Sequence, residues 1–230
     1  MKVLALDTAT TDLVTGIVDT DTGESIDRVI SGTRAHNEQL IPTIEELLAD
    51  ASLTYPDLSA IVVGTGPGPF TGLRVGMATA SALGVALHVP VHGVCTLDAI
   101  AHGRAGEWLV AIDARRKEVY WATYDEGERR SGPNVSKPET LDLSAAGLSS
   151  PETARLVFPE SIAPRLPEGI ADLPREWATP RAAGLVACAD LSADPAPLVP
   201  LYLRRPDAVE PQTKPRSAAL VGGIEDTPES

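Results

Sequence analysis

One stretch constrains the fold of this chain more than any other: AIVVGTGPGPFTGLRVGMATASALGVAL, residues 60–87. It opens with a short apolar run typical of a buried strand and passes through a turn of Gly and Pro into a long helical pattern. A helix is predicted before this strand as well as after it, which favours a parallel crossover. A strand predicted at VPVHGVC and a short helix at TLDAIAHGR continue the alternation. The chain is therefore predicted to be an α/β protein.

The turn is a poor phosphate-binding loop. A P-loop carries Lys and then Ser or Thr after its glycines, whereas PFTGLRVG follows here. Pro67 and Pro69 also lack the backbone amides that a bound pyrophosphate would need. We therefore expect the turn to serve the helix that follows it.

That helix carries a ridge of small residues, one every four positions: Gly72, Gly76, Ala80 and Gly84. A glycine inside a helix costs about 1 kcal/mol relative to alanine, so close packing should compensate. The ridge can bring the helix close to its own sheet, or it can form an interface with a helix of another subunit. Both interpretations stay open, and both can hold at once.

The flanking segments predict the rest of the first half. KVLALDT is an apolar strand, and LVTGIVDTDTGESIDRVI is a hairpin around a polar turn. HNEQLIPTIEELLADA is a helix, in which Pro42 must lie in or near the first turn or kink the axis. Its apolar face is predicted to comprise Leu40, Ile41, Ile44, Leu47 and Leu48.

The second half repeats part of this pattern. EWLVAIDARRKEVYWATYDEG predicts another hairpin, RAAGLVACADL a helix, and LVPLYLR a last strand, whereas residues 127–174 predict short elements and long loops. Two strands that meet near an Asp, once in each half, suggest a duplicated lobe. The predicted division is an N-terminal lobe over 1–104, a smaller C-terminal lobe over 105–205 and a disordered tail over 206–230.

Composition excludes several classes of protein. The net charge of −13 argues against direct nucleic-acid binding, because counterion release needs clustered cations. Cys95 and Cys188 lack the spacing of a zinc site or a disulfide framework, and both are expected to be buried thiols. No secretory segment or membrane-spanning stretch is expected, which predicts a cytoplasmic protein.

Four segments together resemble the TsaB (YeaZ-like) family: ALDTATTDLVTGIV, HNEQLIPTIEELL, VVGTGPGPFTGLRVGMATASALGVAL and PLYLRRPDAV. The resemblance covers most of the first hundred residues and the last predicted strand. It implies the two-lobed fold of actin, Hsp70 and the sugar kinases, with the second lobe reduced. This fold agrees with the duplicated hairpins.

The resemblance also implies a function and partners. Members of the family are dimerisation subunits of the bacterial machinery that makes N6-threonylcarbamoyladenosine at position 37 of tRNAs reading codons that begin with adenine. They pair with the catalytic subunit TsaD, and the ATPase TsaE joins the pair. The implied interface lies on the first-lobe helices, at Leu40, Ile44, Gly72, Gly76, Ala80 and Gly84. Alone, the same surface can form a homodimer, and tRNA is contacted only indirectly.

Little chemistry is expected in this chain. The catalytic relative binds a metal through two histidines four residues apart, but here His36 is followed by Leu40. Asp7, Thr10, Thr11 and Asp113 resemble remnants of an actin-like nucleotide site, and they can equally be local turn residues. No cofactor is expected on this chain, while ATP and metal are expected on the partner subunits.

Two other functions stay open as alternatives. An autonomous ATP-dependent phosphotransferase would need an adenosine loop and a general base near Asp7. A metalloprotease would need metal ligands and a catalytic carboxylate.

Overall fold

A computed structural model describes residues 1–204 of the chain. Two five-stranded sheets and four α-helices form the framework of this part of the protein. The strands are β1 (Lys2–Asp7), β2 (Leu13–Asp19), β3 (Ser25–Ile30), β4 (Ala60–Gly64), β5 (Val91–Val94), β6 (Glu107–Ala114), β7 (Glu118–Asp125), β8 (Glu128–Ser136), β9 (Arg155–Val157) and β10 (Arg175–Glu176). The α-helices are α1 (His36–Asp50), α2 (Phe70–Leu87), α3 (Thr96–Ala101) and α4 (Ala182–Ala187).

The first sheet has the strand order β3-β2-β1-β4-β5. Strands β1, β2 and β3 pair antiparallel, and β1, β4 and β5 pair parallel. This is the arrangement that the hairpin and the crossover pattern predicted. The Gly and Pro turn joins β4 to α2 at the carboxyl end of the parallel strands, next to the turn between β1 and β2.

The second sheet has the order β10-β9-β6-β7-β8, and the predicted hairpin forms its centre as β6 and β7. Its edge strand β8 lies within the stretch 127–174, for which only short elements were predicted. The sequence did not indicate this nine-residue strand because ERRSGPNVS lacks an apolar alternation. The prediction of a last strand at LVPLYLR was wrong. Residues 198–204 form no ladder, and the Leu201 amide instead donates to the Thr65 carbonyl at 2.9 Å.

Both faces of the first sheet are covered. Helices α1 and α2 pack on one face, and the core there includes Leu4, Leu6, Ile44 and Met77. Helix α4 packs on the opposite face through Leu185 and its neighbours, although it belongs to the second half of the sequence. The division into lobes at residue 104 stays a prediction, and the predicted tail lies outside the described residues.

Two finer expectations need correction. Ile41 is 36% exposed, so it lies off the buried face of α1. Pro42 lies inside the helix, beyond its first turn, so the second of the two alternatives given for it remains. Cys95 is partly buried, but Cys188 is exposed, so only one of the two thiols is shielded.

One helix bears on the expectation that no stretch reaches membrane-spanning length. Over residues 1–204, one helix passes the test of length and hydropathy: the 18 residues of α2, with a mean hydropathy of 1.3. Alanine and glycine raise this value without adding bulk. Leu73, Met77 and three small residues of α2 are buried in the chain, and a core helix of this composition passes the same test.

Candidate functional site

The turn between β1 and β2 is sealed by the Gly and Pro turn and the start of α2. The Thr8 hydroxyl donates to the Gly72 carbonyl at 2.7 Å and accepts from the Gly76 amide at 3.1 Å. A Cβ added to Gly72 would overlap the Thr8 carbonyl oxygen, and one added to Gly76 would lie 2.5 Å from the Thr8 hydroxyl. The small residues therefore let the helix backbone contact the hairpin turn directly.

Asp7 lies at the centre of this packing. Its carboxylate accepts hydrogen bonds from the Ala9 amide and the Thr96 hydroxyl, both at 2.7 Å. Burial raises the pKa of Asp7 to about 6, and these two hydrogen bonds oppose that rise. Gly64 provides the space for the carboxylate, since a Cβ there would overlap Oδ2. Asp7 therefore takes part in internal packing.

The other three residues of the predicted nucleotide site do not join Asp7. Thr10 is buried, and its hydroxyl bonds the backbone of Asp12, as expected for local turn chemistry. Thr11 is exposed on the same turn. Asp113 is exposed near the end of β6 in the second sheet, two residues before Arg115. The assignment of these four residues to a nucleotide site stays a prediction.

The six residues of the predicted interface lie mostly inside the chain. Leu40, Ile44, Gly76, Ala80 and Gly84 are buried, and Gly72 is partly buried. A Cβ added to Gly84 would overlap the side chain of Val91 in β5. In the same way, a Cβ added to Gly76 would overlap the Thr8 hydroxyl. The ridge thus packs α2 onto its own sheet and hairpin, which is the first of the two interpretations above.

The opposite side of α2 is open, and we call it the outer face. Val85 is 76% exposed and Phe70 is 44% exposed, both large values for apolar side chains. The outer face comprises Phe70, Arg74, Ala78, Ser81, Ala82 and Val85. On α1, Ile41 is also exposed. Exposed apolar side chains grouped on one face are a feature of interaction surfaces when they form a contiguous patch.

The segment at residues 198–202 borders the outer face. The Tyr202 ring stacks on Phe70 with centroids 5.2 Å apart, and its hydroxyl accepts from Arg74 Nε at 3.3 Å. The Arg74 guanidinium lies 4.1 Å above the Phe70 ring. These contacts fix three large side chains at the start of α2. The sequence pattern offered no signal for them, because Arg74 and Tyr202 are far apart along the chain.

Comparison with known proteins identifies the family. The sequence profile of the family described as "TsaD: tRNA N6-adenosine threonylcarbamoyltransferase" matches residues 30–170, more than half of the chain. The chain belongs to this family. The Escherichia coli K12 protein named "tRNA threonylcarbamoyladenosine biosynthesis protein TsaB" is 35% identical over 133 residues, which cover 56% of this chain and 57% of that protein. The chain is thus a TsaB/YeaZ-like member, as its motifs predicted.

Two further relatives extend the match along the chain. A Mycobacterium tuberculosis H37Rv protein of uncharacterized function is 49% identical over 211 residues, covering 90% of this chain and 93% of that protein. The solved structure of YeaZ from Pseudomonas aeruginosa superposes with a TM-score of 0.67 at 28% identity, covering 81% of this chain and 89% of that chain. The predicted two-lobed α/β fold is therefore confirmed.

The pair of histidines that the resemblance led us to look for is incomplete in this chain. His36 is the first residue of α1, and Leu40, at the position of the second histidine, is buried in the core. Within residues 1–204, no group of three or more His, Cys, Asp or Glu side chains is arranged to hold a metal ion. The buried Nε2 atom of His36 has no hydrogen-bond partner in this part of the chain.

Proposed function

We propose that this TsaB/YeaZ-like chain is a noncatalytic subunit of the machinery that makes N6-threonylcarbamoyladenosine in tRNA. It acts in the cytoplasm, pairs with a TsaD-like catalytic subunit, and supports binding of a TsaE-like ATPase. The observation that carries the proposal is the outer face of α2, where Val85 is 76% exposed beside alanines and a serine.

The shape of the outer face suits a helix of the partner. Ala78, Ser81 and Ala82 are small and exposed, so a second helix can approach the α2 axis closely there. Phe70 and Val85 then provide bulk at the two ends of the contact. The partner-binding helices are those expected from the sequence, but the contacting residues are on the side opposite the glycine ridge.

The family match supports a pairing of related subunits. One profile, named for the catalytic enzyme TsaD, matches residues 30–170 of this chain, which include α1 and α2. Subunits that share a fold present related surfaces, so the equivalent helices of two relatives can pack about a pseudo-two-fold axis. The same reasoning allows a homodimer when the chain is alone.

A noncatalytic role is consistent with the sealed first turn. Asp7, which would face phosphates in an actin-like nucleotide site, is fully buried, and its carboxylate is hydrogen-bonded by the chain itself. We therefore place the ATP and metal chemistry of the complex on the partner subunits.

The proposal is tested by sedimentation velocity of the chain with the TsaD-like protein of the same organism. The wild type should form a one-to-one complex. Ala78→Arg should weaken it by about tenfold or more, because a buried unpaired charge costs several kcal/mol at an interface. Ala145→Arg is the matched control, since Ala145 is also exposed but lies far along the chain in the second half.

Three results would contradict the proposal. These are a wild type that stays alone, an Ala78→Arg variant that binds as tightly as the wild type, and a control that loses binding equally. Circular dichroism of all three proteins shows whether the fold is retained.

A further inference from the structure

A cavity between α3, α4 and the segment that joins β10 to α4 has an unusual lining for this chain. Its volume is about 370 Å³, enough for a ligand of nucleotide size. The chain has 32 acidic and 19 basic residues. The cavity nevertheless has two arginines, one histidine and no acidic side chain among its lining residues: Arg104, Arg181 and His102.

The two arginines of the cavity differ in whether other residues of the chain already bind their guanidinium groups. Arg104 is fixed: Nε donates to the Ile100 carbonyl at 2.9 Å, and the guanidinium lies 4.4 Å above the Trp108 ring. Arg104 also pairs with Glu176 at 2.6 Å. Arg181, in contrast, is exposed and has no ion pair or side-chain hydrogen bond within residues 1–204. Arg181 is therefore free to bind an anion bidentately.

Trp177 provides the second half of the site. Its side chain is 45% exposed at the cavity, whereas Trp108 is buried. A half-exposed indole beside cations offers a stacking surface for a planar ring. Thr179 lines the same cavity, and the hydrogen bond that its hydroxyl donates to the Pro180 carbonyl is long at 3.4 Å. An aromatic plane, a hydroxyl and a free guanidinium thus lie around one space.

The cavity is separate from the sealed first turn. Thr96, at the start of α3, bonds Asp7, whereas His102 follows the other end of that helix. The two places are therefore separated by the length of α3, about 9 Å for six residues. A larger cavity of about 580 Å³ near Lys2 is lined by Asp19 and Glu24, whose charges oppose an anion.

We propose that this cavity binds a free mononucleotide, with the base stacked on Trp177 and the phosphate on Arg181 and His102. A free nucleotide is favoured over a nucleotide within RNA. The chain carries a net charge of −13, so a polyanion that extends beyond the cavity meets an acidic surface. This inference does not depend on the proposed pairing with a TsaD-like subunit.

Isothermal titration calorimetry of the full chain with AMP tests the site, with adenosine and inorganic phosphate as separate probes. AMP should bind more tightly than either probe, because the cavity contacts both the base and the phosphate. Trp177→Ala and Arg181→Gln should each weaken AMP binding by about tenfold, the lower part of the range for the loss of one stacked base or one charge-assisted contact. Arg34→Gln is the matched control, since Arg34 is exposed and lies just before α1.

The outcomes separate clearly. Selective loss in the two cavity variants, with melting temperatures close to that of the wild type, supports the site. Absence of AMP binding overturns it, as does AMP binding that Trp177→Ala and Arg181→Gln retain. Binding of phosphate as tight as that of AMP also overturns it, because the base would then contribute nothing.

Discussion

The two halves of the molecule use the same hairpin in opposite ways. In the first sheet, the turn after β1 is buried: Asp7 and Thr8 are at most 1% exposed and are covered by α2 and its glycines. In the second sheet, the turn after β6 is open, with Asp113 and the three residues 115–117 exposed to solvent. No glycine-rich segment corresponding to 64–76 packs on it in the described part of the chain.

The difference teaches that an Asp at the end of a strand does not by itself define a ligand site. Asp7 has the sequence context of an actin-like phosphate-binding turn, but the chain itself occupies the space in front of it. Asp113 has the space, but Arg116 and Lys117 follow it with φ of 67° and 57° in place of glycines. One turn contributes to the core and the other to the surface.

The largest expected effect is on the pH dependence of stability. Burial raises the pKa of Asp7 to about 6 in the folded chain, above the ordinary value of about 4 that it has in the unfolded chain, so between these two pH values the folded chain holds a proton that the unfolded chain releases. The free energy of unfolding should therefore fall by about 3 kcal/mol as pH rises from about 4 to above 6. Asp7→Asn removes this titration, so urea unfolding of variant and wild type should diverge by that amount across the window.

Asp113→Asn is the control for this comparison. Partial desolvation raises the pKa of Asp113 as well, but its side chain is exposed. The pH-dependent difference in the free energy of unfolding between Asp113→Asn and the wild type should therefore be much smaller. If the Asp7→Asn difference stays constant between pH 4 and 7, the buried turn does not hold a raised carboxyl pKa, and the comparison between the two turns fails.

The second effect concerns the close packing that seals the first turn. Gly72→Ala would place a methyl group against the Thr8 carbonyl, a backbone atom that cannot rotate away. Since the added Cβ would overlap that oxygen, the overpacking cost should fall in the upper part of its range of about 1–3 kcal/mol and exceed the gain of about 1 kcal/mol in helix propensity. Denaturant unfolding should show a net loss of about 1–2 kcal/mol.

Thr71→Ala, on the exposed side of the same helical turn, is the matched control and should change stability by less than about 0.5 kcal/mol. A Gly72→Ala variant as stable as the wild type would mean that α2 moves outward at no cost. The packing of α2 on the turn between β1 and β2 would then not be tight.

The fold was more predictable than the site because strands and helices leave periodic patterns. The apolar runs of β1 and β4, together with the helical spacing of apolar residues in α1, predicted the first sheet and the helix packed on it. The segments EWLVAIDA and EVYWATYD predicted the second hairpin. Strand β8 was missed because its residues pair through the backbone with little apolar alternation. The apolar residues of segment 198–204 suggest a strand, but Leu198 and Leu203 pack against two different core clusters and the segment joins no ladder.

The side of α2 that faces outward could not be predicted from spacing alone. Gly72, Gly76, Ala80 and Gly84 are small, and small residues suit both a buried contact with a strand and an exposed contact with a partner. The deciding facts are long-range: Thr8 and Val91 occupy the space next to this ridge. The Phe70, Arg74 and Tyr202 contacts are long-range too, and no local pattern encodes them.

The smallest expected effect tests the open turn. Lys117 has a φ of 57°, a left-handed conformation that costs a residue with a Cβ about 1 kcal/mol and costs glycine almost nothing. Lys117→Gly should therefore raise the free energy of unfolding by up to about 1 kcal/mol, with the greater freedom of glycine in the unfolded chain offsetting part of the gain. The Lys117 carbonyl, which accepts a hydrogen bond from Arg165 at 2.5 Å, is kept in the variant.

Lys137→Gly is the control, since Lys137 has a φ of −73° and its replacement by glycine should only lower the free energy of unfolding. Equal losses in both variants would show that the second turn, like the first, depends on its side chains and is not merely an open surface loop.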